Sequence, residues 1–127
     1  MRESLTSNML NATDLAITTG EDDGTTLVRL RGRLDVDSSP AFREHLLALL
    51  RSPSARAVII DMADVSYTDA SGIATLVEGL KIARNRQNTV YLKGLQGRVL
   101  HLFEVTGLLD LFATNSCGSA PTASRVS

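Results

Sequence analysis

The feature that most constrains the fold is an apolar stretch that leads, through a short polar cluster, into an amphipathic pattern. Residues 56–62, RAVIIDM, have a continuous β-branched centre, which is typical of a strand covered on both faces. Apolar residues then recur with helical spacing over 72–86, a pattern that predicts a helix with one buried stripe. The polar cluster between them, Tyr67 to Gly72, reads YTDASG. The sequence therefore predicts a strand-to-helix unit with a polar cluster at the start of the helix.

Two further patterns precede this unit. Apolar and polar residues alternate over 25–34 and predict a strand with one buried and one solvent-exposed face. Arg29, Arg31 and Arg33 lie on the exposed face. Residues 16–18 predict a short antiparallel partner strand across the GEDDG turn. The stretch Ser38-Ser39-Pro40, with a serine cap and a proline at the first helical position, predicts the start of a helix over 40–52.

Three patterns follow the unit: a strand at 88–95, a short helix over 96–107 that Gly107 closes, and a last strand in LLDLFA at 108–113. The whole order predicts an α/β fold in one domain. Its sheet would be small and mixed, with four to five strands and helices mainly on one face. We expect this domain to span residues 14–113, between a flexible segment at 1–13 and a disordered tail, rich in Ser, Thr and Ala, at 114–127.

Composition narrows the function class. Apolar residues make up 43% of the 127 residues, enough for one core, and the net charge of -1 argues against an electrostatic nucleic-acid binder. No apolar run in the sequence is long enough to span a membrane, so we expect a cytoplasmic protein. The sequence has a single cysteine, so we expect no internal disulfide. His45 and His101 lie in separate helical patterns without cysteines at ligand spacing, so no metal or cofactor is expected.

The polar cluster invites enzymatic interpretations, and each meets an objection. A serine nucleophile at Ser71 lacks the flanking glycines of a G-x-S-x-G elbow, and a phosphate-binding loop would need a second glycine and a lysine. A magnesium site formed by Asp61, Asp64 and Asp69 would usually draw its acids from the ends of different strands. Helix capping explains one of the polar residues well but does not explain why several crowd together. We therefore expect no enzyme activity and no catalytic residue.

The cluster and its surroundings resemble the STAS family, which includes bacterial anti-sigma factor antagonists and the cytoplasmic tails of sulfate transporters. The stretch VIIDMADVSYTDASGIATLVEGLKIAR is similar to the family's central signature, a strand followed by Asp-Ser-Ser/Thr-Gly at the start of a helix. The segments LRGRLDVDSSPAFREHL and VYLKGLQGRVLHLFEVTGLLDLF also resemble the family, so that the similarity covers about residues 15–113.

The resemblance implies a mechanism of binding and release. In such antagonists a serine kinase, which also sequesters a sigma factor, phosphorylates the serine directly after the motif's Asp. The unphosphorylated antagonist binds that kinase and frees the sigma factor. A phosphoryl group adds about -1.5 to -2 charges, which would disrupt a packed interface.

This chain departs from the family pattern at the acceptor, because Ala70 follows Asp69. Three interpretations stay open. The switch is absent and the protein binds constitutively, Ser71 or Thr68 substitutes as acceptor, or the protein belongs to a branch that never used phosphorylation. Small cytoplasmic subunits of ABC-type lipid transporters form such a branch. For Ser71 we favour a capping and interface role.

We therefore predict a monomeric regulatory protein that binds an anti-sigma factor/serine-kinase-like partner, and no nucleic acid. The alternative is a cytoplasmic accessory subunit of an ABC-type lipid transporter, which would dock on a membrane complex. A small-molecule-binding module is a third class. The resemblance places Asp35, in the 35–38 loop, near the motif. The predicted partner-binding residues are Asp35, Tyr67, Thr68, Asp69, Ala70, Ser71 and Gly72.

Overall fold

The computed structural model describes residues 8–12, 14–52 and 56–110. Strands and helices alternate through most of this range. The elements are β1 (Asn8–Ala12), β2 (Leu15–Asp22), β3 (Thr25–Leu34), α1 (Ser39–Arg51), β4 (Ala57–Thr68), α2 (Ala70–Asn85), β5 (Thr89–Lys93) and α3 (Gly97–Val105).

The strands form one mixed sheet in the order β1-β2-β3-β4-β5. The first two pairings are antiparallel, and β3, β4 and β5 run parallel to one another. The β2–β3 hairpin turns at Asp23 and Gly24, whose φ angles of 55° and 85° suit the tight turns that join twisted antiparallel strands. The parallel strands are connected by α1 and α2, as parallel pairing requires long connections. The predicted α/β class with a small mixed sheet is confirmed.

The core lies between the sheet and the three helices. In β3, Val28, Leu30 and Leu34 are fully buried, whereas the arginines between them are exposed, as the alternation predicted. The helices add Phe42 from α1 and Phe103 from α3, both fully buried, and burying a side chain of this size contributes about 1.5–3 kcal/mol. A single connected cluster of buried side chains therefore holds the helices against the sheet.

Strand β4 is longer than the sequence predicted. The prediction ended near residue 62, but β4 stays paired with β3 as far as the Leu34–Thr68 pair, through two register shifts. The polar residues Asp64 and Ser66 break the apolar pattern that would have revealed this extension. The parallel pairing brings the carboxyl ends of β3 and β4 to the same edge of the sheet, so that the loops which follow them are neighbours.

Two terminal predictions differ from the structure. Residues 8–12, expected to be flexible, form β1, whose backbone pairs with β2; the short segment NMLNA has too little periodicity to predict a strand. Residues 108–110, expected to begin a last strand, are helical, because a short apolar run does not distinguish strand from helix. The predicted tail at 114–127 lies outside the described residues.

Candidate functional site

Asp69 is the N-cap of α2 and joins the end of β4 to the helix. Its Oδ1 accepts hydrogen bonds from the backbone amides of Ser71, at 2.9 Å, and Gly72, at 3.2 Å. These amides have no partner within the helix, and a carboxylate at this end also suits the helix dipole. The capping role that the sequence predicted for the cluster is confirmed for Asp69.

The second carboxylate oxygen of Asp69 reaches another loop. Oδ2 accepts a hydrogen bond from the backbone amide of Val36 at 3.1 Å, so that Asp69 ties the 35–38 loop to the start of α2. The resemblance implied that these two segments lie close together, and the structure brings them together through this one side chain. The three groups that donate to Asp69 among the described residues are all backbone amides.

The 35–38 loop has its own hydrogen bonds. Asp35 Oδ1 accepts from the amides of Asp37, at 3.0 Å, and Ser38, at 3.2 Å, while Ser38 Oγ donates to the Arg33 carbonyl at 2.8 Å. Partial desolvation opposes ionisation of Asp35. The amides of Ser38 and Asp37, the Ser38 hydroxyl and the Arg33 charge outweigh it and lower the pKa of the Asp35 carboxyl. The loop is therefore held in one shape when Asp35 is ionised.

The sequence predicted a serine cap for α1. Ser38 occupies the N-cap position, but its side chain makes no capping hydrogen bond. Its hydroxyl accepts from the Asp35 amide at 3.0 Å as well as donating to Arg33, and so it braces the loop instead. Pro40 is the second helical residue rather than the first, since α1 begins at Ser39. The helix start was placed within one residue, but the role of the serine was not.

Tyr67 is the exposed aromatic of the site. Its side chain is 41% exposed, and the Arg33 guanidinium lies 4.2 Å from the ring centroid. Arg33 also approaches Asp35, with 3.5 Å between Nε and Oδ2. Arg33 thus connects Tyr67 to Asp35 through a cation–π contact and an ion pair.

Arg33 is the site residue that the sequence reasoning missed. It had been grouped with Arg29 and Arg31 as a row that solvates one strand face. The three arginines are exposed and share one face of β3. The available signal was its position, two residues before Asp35 at the carboxyl end of the strand.

Gly72 permits a close approach between α2 and β3. A Cβ atom at this position would lie 2.6 Å from the Leu34 carbonyl oxygen and would also meet the Thr68 hydroxyl. Thr68 is buried at 6% exposure, and its Oγ1 has no hydrogen-bond partner among the described residues. The Thr68 side chain therefore faces inward, under the first turn of α2, and takes no part in the exposed surface.

Ala70 and Ser71 differ in accessibility. Ala70, the first residue of α2, is exposed, whereas Ser71 is half-buried and its carbonyl accepts a hydrogen bond from Thr75 Oγ1 at 3.1 Å. The position directly after the motif's Asp is thus the accessible one, and it carries a methyl group.

The other candidate residues lie apart from this surface. His45 Nε2 is 2.6 Å from Thr19 Oγ1 between α1 and β2, and burial lowers its pKa. His101 is exposed on α3. Asp61 is buried and lies 3.5 Å from Arg29 Nε. Within residues 14–52 and 56–110, no three acidic, histidine or cysteine side chains converge on a point where a metal could bind, so Asp61, Asp64 and Asp69 do not form a cluster.

Two further features of the described residues bear on small-molecule and membrane functions. A broad concavity lies on the open face of the sheet, between the β2–β3 hairpin, Ile59 and Lys93, away from the motif. It is the feature that bears on a small-molecule-binding role, and its openness to solvent is unlike the enclosing cleft of most ligand sites. None of the helices described has the length and apolar character needed to traverse a bilayer.

Residues 16–123 match the STAS domain family. The anti-sigma-B factor antagonist of Staphylococcus aureus (strain NCTC 8325 / PS 47) is 33% identical over 102 residues, which cover 80% of this chain and 94% of that relative.

Solved structures show the same fold. An anti-sigma factor antagonist from Mycobacterium paratuberculosis superposes with a TM-score of 0.66 at 23% identity, covering 81% of this chain and 87% of the other. The anti-sigma factor antagonist SpoIIAA in its unphosphorylated form gives a TM-score of 0.60 at 16% identity, covering 69% and 81%.

Proposed function

The chain belongs to the STAS domain family, and we propose that it is a cytoplasmic anti-sigma factor antagonist-like regulator. It would act by binding an anti-sigma factor/serine-kinase-like protein. The relative at 33% identity, named as an anti-sigma-B factor antagonist, covers most of both chains and supports this assignment.

The observation that carries the proposal is the prearranged surface around Asp69. One carboxylate holds the start of α2 and the 35–38 loop together, and exposed Val36 and Tyr67 lie in that loop and at the end of β4. A surface already held in its binding shape loses less conformational entropy on association than a mobile one. Exposed aromatic side chains such as Tyr67 are frequent anchors of protein interfaces.

We propose that this protein binds its partner without the phosphorylation switch of its family. The accessible position after Asp69 is Ala70, which has no hydroxyl, and the Thr68 hydroxyl is covered. Ser71 is therefore the remaining candidate phosphoryl acceptor in the motif. Ser71 is half-buried, its amide donates to Asp69 Oδ1 and its carbonyl accepts from Thr75 Oγ1, so it is less accessible to a kinase than position 70. Ser71 therefore serves as a helix-start and interface residue.

The alternative, an accessory subunit of a lipid transporter, has less support. The relative at 33% identity is named as an antagonist, and the site needs no membrane component to explain its shape. The phosphorylation-free loop is compatible with both functions, and binding measurements separate them.

The test uses the full-length protein and each ATP-binding anti-sigma factor encoded in the same genome. We expect isothermal titration to detect binding to at least one of them, and Asp69→Ala to weaken it. After incubation of the complex with ATP and Mg²⁺, intact-mass analysis should find no added phosphoryl group on the wild-type chain.

Two results would count against the proposal. Binding to none of the anti-sigma factors would overturn the antagonist function, and association with transporter subunits instead would favour the alternative. A phosphoryl group mapped to Ser71 would overturn the absence of the switch while leaving the antagonist function in place.

A further inference from the structure

Three large apolar side chains of the described residues are exposed: Val36 at 62%, Tyr67 at 41% and Val105 at 62%. Val36 belongs to the loop that Asp69 holds, whereas Tyr67 and Val105, the latter at the end of α3, line one groove. Scattered apolar residues are normal on a protein surface, but exposed apolar residues that share a groove indicate an interaction site.

The groove lies between the end of β4 and one face of α3. Arg98, Leu102 and Val105 are spaced by four and three residues, so they share that face, while Val99 is buried beneath them and Phe103 faces the core. Leu102 and Val105 form the apolar part, and Tyr67 closes the groove on the side of the motif.

The charged side chain that lines the groove is Arg98; Arg33 lies over the Tyr67 ring at its edge and is paired with Asp35. Among the described residues no acidic side chain lines the groove, and Glu104, the acidic residue of α3, is exposed outside the lining. Arg98 forms no ion pair with another described residue, so its charge is available to an external carboxylate.

The groove borders a strand that is paired on one side along its whole length. This strand, β4, pairs with β3 up to Thr68; on its other side it pairs with β5 only up to Asp61, and Gln96 Nε2 donates to the Ala63 carbonyl at 2.8 Å. An apolar stripe on one helix face flanked by a basic side chain is the kind of surface that receives the apolar face of an amphipathic helix.

We propose that this groove is the second half of the partner surface, and that it receives an amphipathic helix of the anti-sigma factor. An apolar side chain of that helix packs on Leu102 and Val105, and a flanking carboxylate pairs with Arg98. The proposal rests on the antagonist function proposed above and extends that surface from the 35–38 loop and α2 onto α3.

Binding measurements with the anti-sigma factor that titrates with the wild-type chain test the proposal. Val105→Ser should weaken binding about tenfold, because an apolar anchor loses its contact, while Ala48→Ser on the exposed face of α1 should not. Arg98→Glu should weaken binding about tenfold or more at low salt, whereas the matched reversal Arg84→Glu, in the last turn of α2, should have little effect. Far-ultraviolet circular dichroism and melting temperature establish that each variant is folded.

A thiol probe identifies the occupant. In a Cys117→Ser background, Val105→Cys should react rapidly in the free protein and slowly in the complex. Slow reaction in the free monomer would mean that the chain's own residues cover the groove, and slowing that depends on protein concentration would mean that a second copy does. Either result overturns the proposal.

The two proposals fail in different ways. If Asp69→Ala abolishes binding while Val105→Ser and Arg98→Glu bind as wild type, the antagonist function stands and the groove is not part of the surface. If the wild-type chain binds none of the anti-sigma factors, the antagonist function is overturned and the stated occupant of the groove with it.

Discussion

The Oδ2 atom of Asp69 accepts a hydrogen bond at 3.1 Å from the backbone amide of Val36, which lies 33 residues earlier in the chain. The same carboxylate caps α2 through its other oxygen. Helix capping and the position of the neighbouring loop are therefore controlled by one ionised group. A change at Asp69 should affect both at once, which an ordinary capping residue would not.

Replacing Asp69 should reveal this double role. We expect Asp69→Ala to lower the free energy of unfolding by about 1–2 kcal/mol, the usual cost of losing a capping side chain. Asp69→Asn should retain the cap but lose an acceptor for Val36, so that the stability loss is smaller while the amide of Val36 exchanges faster with solvent. Urea unfolding and hydrogen exchange measure the two effects. Asp37→Ala, at an exposed loop position, is the control, and equal exchange at Val36 in all variants would contradict the link.

The buried hydroxyl of Thr68 should be dispensable for folding. Thr68 and Thr75 are both 6% exposed, but Thr68 Oγ1 has no hydrogen-bond partner among the described residues, whereas Thr75 Oγ1 donates to the Ser71 carbonyl. Thr68→Val should leave the stability unchanged or raise it by up to about 1 kcal/mol, since a buried unpaired hydroxyl is costly. Thr75→Val should lower it by about 1 kcal/mol. Thermal and urea unfolding measure the stability of the two variants. An equal loss of stability in both would contradict this interpretation.

Adding one methyl group at Gly72 should destabilise the fold. The new Cβ would stand 2.6 Å from the Leu34 carbonyl oxygen, which belongs to the backbone of a central strand and cannot easily move. We expect Gly72→Ala to cost about 1–3 kcal/mol, as in other overpacked sites. Ala74→Ser, at an exposed position of the same helix, controls for a change of side-chain size. A Gly72→Ala variant as stable as wild type would mean that α2 can shift away from β3.

Acid should destabilise the protein in part through His45. Burial lowers the pKa of His45 below its ordinary value of 6.5, so the folded state favours the neutral imidazole. The stability from this group is complete above pH 6.5 and falls as the pH drops through the lowered folded-state pKa, because the unfolded chain binds the proton more readily. His45→Gln should show a smaller loss of stability in this range. Unfolding measured at several pH values checks the difference.

Asp35 should act in a separate and more acidic range. Its pKa is lowered from 3.8, so the stability it contributes is present above that value and is lost as the pH falls through the folded-state pKa. In Asp35→Asn this acidic loss should be reduced while the His45 effect persists. Identical profiles for the wild type and Asp35→Asn below pH 3.8 would contradict a role for the ionised loop.

An acceptor can be restored at the exposed position. We expect Ala70→Ser to be phosphorylated by a kinase-active anti-sigma factor that binds this protein, and the modified form to lose affinity for it. The added serine would occupy the accessible first residue of α2, where the wild type has only a methyl group. Intact mass and titration before and after incubation with ATP measure both effects. Phosphorylation of wild type and variant at the same other residue would show that position 70 is not where the kinase acts.

Much of the fold could be predicted from periodicity, because alternation and helical stripes follow directly from which side chains are buried. The predicted bounds of the strand at 25–34 agree with the structure, and α1 and α2 begin and end within about two residues of their predicted limits. Strand β1 and the far half of β4 were missed, because backbone pairing holds them while their side-chain patterns are irregular.

The candidate site was predictable where local chemistry decides it. The capping role of Asp69 follows from residue type and position alone. The stacking of Arg33 on Tyr67 depends on how β3 and β4, which are far apart in sequence, align in the sheet. The hydrogen bond between Val36 and Asp69, in the segments that follow these strands, depends on the same alignment. The register shifts near Gly32 decide that alignment, and a single sequence carries no signal for them.

Because the donors to Asp69 from the described part of the chain are all backbone amides, the shape of this surface does not depend on the identity of the side chains at 36, 70 or 71. Val36 and Ala70 are exposed and take no part in the network through their side chains. Their replacement would alter what a partner meets without altering the scaffold that presents it. Relatives with the same backbone network could therefore bind different partners because they differ only in a few exposed side chains.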